Sequence, residues 1–172
     1  AEAMRLSKQD WTGIELRDKE SKGSVPARMV RVLGSQSEKM AVIELKAAFP
    51  RAAALPIRAE PLLPDERVLS LAYPNGELRF AGGRFARYGT GDRFAGAALL
   101  EMHDGNDRLV LDHGASGAPV LDCEGRVVAV VSTLMTQTIH LPSGAVRVST
   151  AWQTPNVVSI PADSLKDLSG AK

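Results

Sequence analysis

The sequence predicts an all-β fold, and three observations carry that expectation. Short runs rich in Val, Ile and Leu recur between turn residues. No stretch sustains the 3.6-residue apolar period of a long amphipathic helix. Proline and glycine punctuate the chain at intervals that suit strands joined by tight turns. The expected architecture is a six-stranded antiparallel barrel from about Pro64 to Pro161, preceded by a smaller set of strands.

The elements follow in order. Residues 13–16 (G-I-E-L) make a first strand, closed by the charged turn of residues 17–22. Residues 25–33 (V-P-A-R-M-V-R-V-L) alternate well after Pro26, and residues 40–45 (M-A-V-I-E-L) are mostly apolar, as in a strand buried on both faces. The composition then shifts, because residues 47–66 carry Pro50, Pro56, Pro61 and Pro64. Proline lacks the amide that a central strand or helix interior needs, so this stretch reads as a connector. The expected organisation is therefore residues 1–46, a connector at 47–66, and the barrel at 67–172 with a short terminal helix.

After the connector, residues 67–72 (R-V-L-S-L-A) run into the turn Y-P-N-G at 73–76. Residues 77–88 contain Gly82 and Gly83, expected to mark a bulge or sharp bend. Residues 93–103 lead into the turn D-G-N-D at 104–107, and residues 108–111 precede a G-A-S-G turn. Residues 118–122 and 126–133 make a hairpin across Cys123, Glu124 and Gly125. Strands at 145–150 and 157–160 come last, and P-A-D-S-L at 161–165 opens a helix capped by Asp163 or Ser164.

The 172 residues suffice for one domain or two small subdomains. Aromatics are 5% of the chain, so the core rests on Val, Leu, Ala and Ile. The net charge of +1 carries no basic stripe interleaved with aromatics, which argues against a nucleic-acid partner. No apolar run reaches the roughly 20 residues of a membrane span, and the residues from Ala1 onward do not read as a signal peptide. Cys123 is the single cysteine, so no internal disulfide forms; it is expected to be a small buried residue rather than a catalytic thiol. His103, Asp104, Asp107 and His140 have no metal-ligand spacing, and no metal or cofactor is expected.

Residues 112–120 read D-H-G-A-S-G-A-P-V. A serine hydroxyl becomes a nucleophile only with a base to take its proton and donors to hold the developing oxyanion. Ser116 is the candidate nucleophile. Gly114 lets the backbone turn so that the Gly114 and Ser116 amides converge as an oxyanion hole. Gly117 relieves crowding, and Pro119 and Val120 start an anchoring strand. The G-x-S-x-G elbow of α/β-hydrolases would need glycine at Ala118 and alternating helices and strands. A plain turn between strands is the alternative without chemistry.

The pattern G-x-S-G-x-P-V, followed by a hairpin turn and R-V-V-A-V-V-S, resembles the trypsin-like serine protease family. The matches L-A-Y-P-N-G at 71–76 and S-I-P-A at 159–162 extend the resemblance over residues 25–168. It implies a chymotrypsin-like double β-barrel whose N-terminal barrel is incomplete in this chain, completed by a missing segment or a second chain. It also implies an endopeptidase working on polypeptides through an acyl-enzyme at Ser116. The absence of disulfides suggests a bacterial member of the family, periplasmic or secreted. The implied substrate pocket comprises Val110, Ser132, Thr133 and Leu134, with residues 136–140 as its loop. Val110 offers no carboxylate and Leu134 narrows the wall, so small or medium apolar side chains are the expected preference. His113 sits beside the oxyanion turn, placed for substrate contact rather than as a base.

The family's triad runs His, Asp, Ser along the chain. Here His103, His113 and His140 all follow the first strands, and Lys39 stands where the acid is expected, with Glu38 one residue off. A cation there disfavours an imidazolium. The resemblance thus carries a second reading, a pseudoprotease that binds or scaffolds peptides without cutting them.

Overall fold

The computed structural model describes residues 14–17, 23–34, 39–48, 52–91, 94–103, 105, 114–134, 136–140, 146–150 and 155–168. The chain divides into two compact units, Ala1–Ala54 and Leu55–Lys172. In the first, β1 (Ile14–Arg17), β2 (Ser24–Gly34) and β3 (Lys39–Leu45) form an antiparallel sheet in the order β1-β2-β3. Ala27 is fully buried there, and Arg28 meets Glu44 across the ladder at 2.6 Å on the exposed face. Such an exposed pair adds at most about 1 kcal/mol.

The second unit holds the barrel. Its strands are β4 (Arg67–Ala72), β5 (Arg79–Tyr88), β6 (Ala98–His103), β7 (Pro119–Leu121) and β8 (Val127–Leu134). A hairpin of β9 (Thr136–His140) and β10 (Val146–Thr150) forms its own two-stranded sheet, and β11 (Val157–Pro161) returns to the barrel. The barrel closes in the order β11-β6-β5-β4-β7-β8, every pairing antiparallel. The fold is all-β and chymotrypsin-like, as expected. The terminal helix is a 3-10 helix, Ala162–Leu168.

Period-2 alternation explains the closure. Along β4, Val68, Ser70 and Ala72 are buried while Arg67 and Leu69 face out. Small and large residues share the interior: Ala81, Ala98, Ala118 and Ala129 beside Phe85, Leu100, Met102, Val120 and Val157. Phe85 is fully buried and tilts against Tyr88 with ring centroids 4.7 Å apart. Two polar side chains stand in for missing ladder bonds. Ser70 Oγ donates to the Pro119 carbonyl at 2.8 Å, joining β4 to β7. The buried Asn156 amide accepts from the Met102 amide at 2.9 Å and donates to the Met102 carbonyl at 2.8 Å, extending the β6–β11 contact by one residue.

Ser159 is fully buried, and among the described residues its hydroxyl has no partner. A buried hydroxyl left unsatisfied costs about 1–3 kcal/mol. Ser159→Ala is therefore expected to keep or raise stability by about 1 kcal/mol in urea unfolding. A loss of similar size would show that the hydroxyl is satisfied after all.

Several expectations are corrected. The register shift of β5 falls between Phe85 and Arg87, not at Gly82 and Gly83. Gly83 serves another purpose: a Cβ there would lie 1.8 Å from the Glu101 carbonyl oxygen of β6. β6 begins at Ala98 because Phe94 and Gly96 belong to a turn, closed by the Ala97 amide on the Phe94 carbonyl at 2.9 Å. The pocket loop expected at residues 136–140 is strand β9. Cys123 is exposed, not buried. Its neighbour Asp122 turns inward instead, accepting the Glu124 and Arg126 amides at 3.0 and 2.9 Å. The strand expected at 108–111 lies outside the described residues.

The proline-rich stretch is tied to the barrel from Pro56 onward. The Val127 amide donates to the Pro56 carbonyl at 2.8 Å and the Arg58 amide to the Val127 carbonyl at 3.0 Å. The Arg58 guanidinium, one-tenth exposed, pairs with Glu66 and lies 3.5 Å from the buried Asp122 carboxylate. The Arg58 hydrogen bond holds the Glu66 carboxyl below its usual range against the opposing effect of burial. Burial favours protonation of Asp122, but the Arg126 amide and guanidinium with the Glu124 amide outweigh it and lower its pKa.

Candidate active site

The G-A-S-G turn follows from where its four side chains can go. Gly114 and Gly117 have φ of 98° and 91°, in the region that L side chains avoid. Nothing lies within 4 Å of a Cβ built on Gly117, so conformation rather than space selects glycine there. Ala115 and Ala118 point into the barrel core. The Ala118 amide closes the turn on the Ala115 carbonyl at 3.0 Å. Two further bonds stitch the turn to β8: Gly117 amide to Val131 carbonyl at 2.8 Å, and Val131 amide to Ala118 carbonyl at 2.9 Å.

Ser116 is left exposed at the tip of this anchored turn. Among the described residues, no acceptor takes the Gly114 or Ser116 amide proton. Among the described residues both amides are thus open to an anionic oxygen. The Ser116 hydroxyl donates to the Ser132 backbone carbonyl at 2.8 Å. Among the described residues, no carboxylate or imidazole bonds to it.

The structure therefore brings Ser116, Gly114 and Ser132 together. Thr133 and Leu134 continue β8 past Ser132 and are described for their backbone alone. His113 and Val110, read as substrate contacts, lie outside the described residues, as does Glu38. Lys39 opens β3, opposite Gly34. His103 ends β6, its Nε2 3.9 Å from Glu101 Oε1, and the hydrogen bond of the Ser116 hydroxyl goes to Ser132 instead. Sequence reasoning missed the role of the Ser132 carbonyl, because V-V-A-V-V-S-T reads as an unbroken strand. It also missed Ala115 as the buried foot of the turn, for which its small apolar side chain was the only signal.

A family model described as the trypsin-like peptidase domain matches residues 6–130 of the 172. The chain belongs to the trypsin-like peptidase domain family. A search of curated proteins returns no match. Among solved structures, this trypsin-like domain is similar to Rv3671c from M. tuberculosis H37Rv, a serine-to-alanine mutant in its inactive form. The TM-score is 0.53 at 16% identity, covering 84% of this chain and 63% of that one. It is also similar to the apo MamO protease domain from Magnetospirillum magneticum, with TM-score 0.51, 14% identity, and 92% and 74% coverage. At these identities the likeness concerns the fold. The trypsin-like match ends in β8, so the β9–β10 hairpin lies beyond it.

Proposed function

We propose that this chain is a serine endopeptidase domain that cleaves polypeptides through an acyl-enzyme on Ser116. The observation that carries it is the exposed serine on a turn pinned to β8, with the Gly114 and Ser116 amides both lacking an acceptor among the described residues. Ser116 Oγ would attack the scissile carbonyl carbon while its proton passes to a general base. The two amides would hold the resulting oxyanion in an environment where such donors lower the barrier by several kcal/mol. The leaving amine departs with a proton from the base, and water then hydrolyses the ester. The base belongs to this proposal as a histidine supplied from beyond the described residues or by another chain.

A fluorophosphonate probe tests this directly. Labelling is expected in the full-length protein and should fall to background in Ser116→Ala, because only an activated serine reacts with the phosphorus centre. Labelling that persists in the alanine variant removes Ser116 from the chemistry. A second reading is favoured by Lys39 at the expected acid position and by a Ser116 proton resting on a carbonyl rather than a base. On that reading the domain binds peptides without cutting them, and it predicts no labelling with peptide binding retained.

A further inference from the structure

The contact between Ser116 and Ser132 has a cause in the strand register. β8 pairs with β11 as Val131↔Ser159 and then Thr133↔Val158, with the shift placed at Val158/Ser159. Ser132 is the extra residue of a β-bulge. A bulge turns one residue's backbone out of the regular ladder and re-aims it. Here the re-aimed carbonyl meets the Ser116 hydroxyl at 2.8 Å. On the neighbouring residue, Val131 uses both its amide and its carbonyl to hold Ala118 and Gly117. One two-residue step of β8 therefore holds the turn in place and also accepts the hydroxyl hydrogen bond of the serine at its tip.

We propose that the Ser132 bulge is an autoinhibitory latch on Ser116, a reading that rests on Ser116 being the nucleophile. An amide carbonyl accepts a hydrogen bond but does not take a proton near neutral pH. While Ser116 donates to it, the hydroxyl hydrogen is committed to a group that cannot activate the oxygen. A general base must win that hydrogen away before attack. The latch lies in the main chain, so the Ser132 side chain is not needed for it. Deleting Ser132 would make the ladder one-to-one, with Thr133 directly following Val131 against Val158 and Ser159, and would remove the bulged carbonyl.

The test uses the full-length protein with serine carbon-13 labelling, and it reads the Ser116 rotamer by NMR coupling constants alongside fluorophosphonate labelling rates. In the wild type and in Ser132→Ala, Ser116 should hold one rotamer. In the Ser132 deletion the rotamer should average, and labelling should accelerate about two- to tenfold, the competition of one ordinary hydrogen bond. An averaged rotamer in the wild type overturns the latch, and this arm needs no variant to fold. A deletion variant that folds and labels more slowly also overturns it, since the carbonyl would then be positioning the serine for attack. Absence of labelling in every protein sinks the peptidase reading alone. The rotamer of the wild type still decides whether the latch exists.

Discussion

Gly83→Ala is expected to abolish folding of the barrel. A Cβ at this position would sit 1.8 Å from the Glu101 oxygen, 2.8 Å from its carbonyl carbon and 2.9 Å from Met102 Cα. All three atoms are backbone of β6, so no side chain can swing aside. Relief requires β5 and β6 to part where Gly83 faces Met102 and Phe85 faces Leu100. Phe85, Leu100 and Met102 all belong to the buried core. Losing that packing costs more than the 4–5 kcal/mol that marks an exceptional substitution, against a typical total stability of about 5–15 kcal/mol. Gly82→Ala is the control: nothing lies within 4 Å of its Cβ. It should fold with stability changed by less than about 1 kcal/mol. Soluble yield and a circular-dichroism melt read both variants. A Gly83→Ala protein melting within a few degrees of the wild type would refute the close-approach account.

The second large effect is electrostatic. Arg58→Ala removes the cation shared by Glu66 and the buried Asp122. It also removes the donor to the Pro61 carbonyl at 3.1 Å. Asp122 keeps Arg126, its guanidinium 2.8 Å away, so the pair is weakened rather than orphaned. A loss of about 2–3 kcal/mol is expected in urea unfolding at neutral pH. The pH dependence gives the sign. The folded-state pKa values of Glu66 and Asp122 both lie below their ordinary values of 4.5 and 3.8. Their contribution is therefore complete above those values and is lost as pH falls through the lower folded-state values. The gap between wild type and Arg58→Ala should narrow in that acid range. A gap that stays constant down to acid would mean that Arg58 acts through its packing alone.

The barrel strands were legible because their alternation is carried by residues that must choose a face. Arg67 to Ala72 shows this best, with each inward side chain small enough for the interior. The Ser116 turn was legible for a related reason: positive φ leaves glycine as the residue of choice at 114 and 117. What stayed hidden depends on neighbours distant in the chain. Gly83 reads as a bend until β6 is laid beside it. Cys123 reads as buried until Asp122 is seen to take the interior place through two amides. The bulge at Ser132 is set by β11, some 25 residues further on, and no local pattern in β8 announces it. Strand β9 passed as a pocket loop because T-Q-T-I-H has too little apolar content to signal a strand, whereas its partner β10 was expected.

The closing position of β11 has a consequence for how the protein is made. This strand lies between β6 and β8, so both present open edges until it arrives. A ribosome delivers the chain from its N-terminus, so residues 157–161 emerge after every other strand of the barrel. Until then the nascent barrel is an unclosed sheet with two templates for wrong pairing. The final strand works like the last stave of a cask, and the Ser116 turn gains its latch only when that stave sets the β8 register.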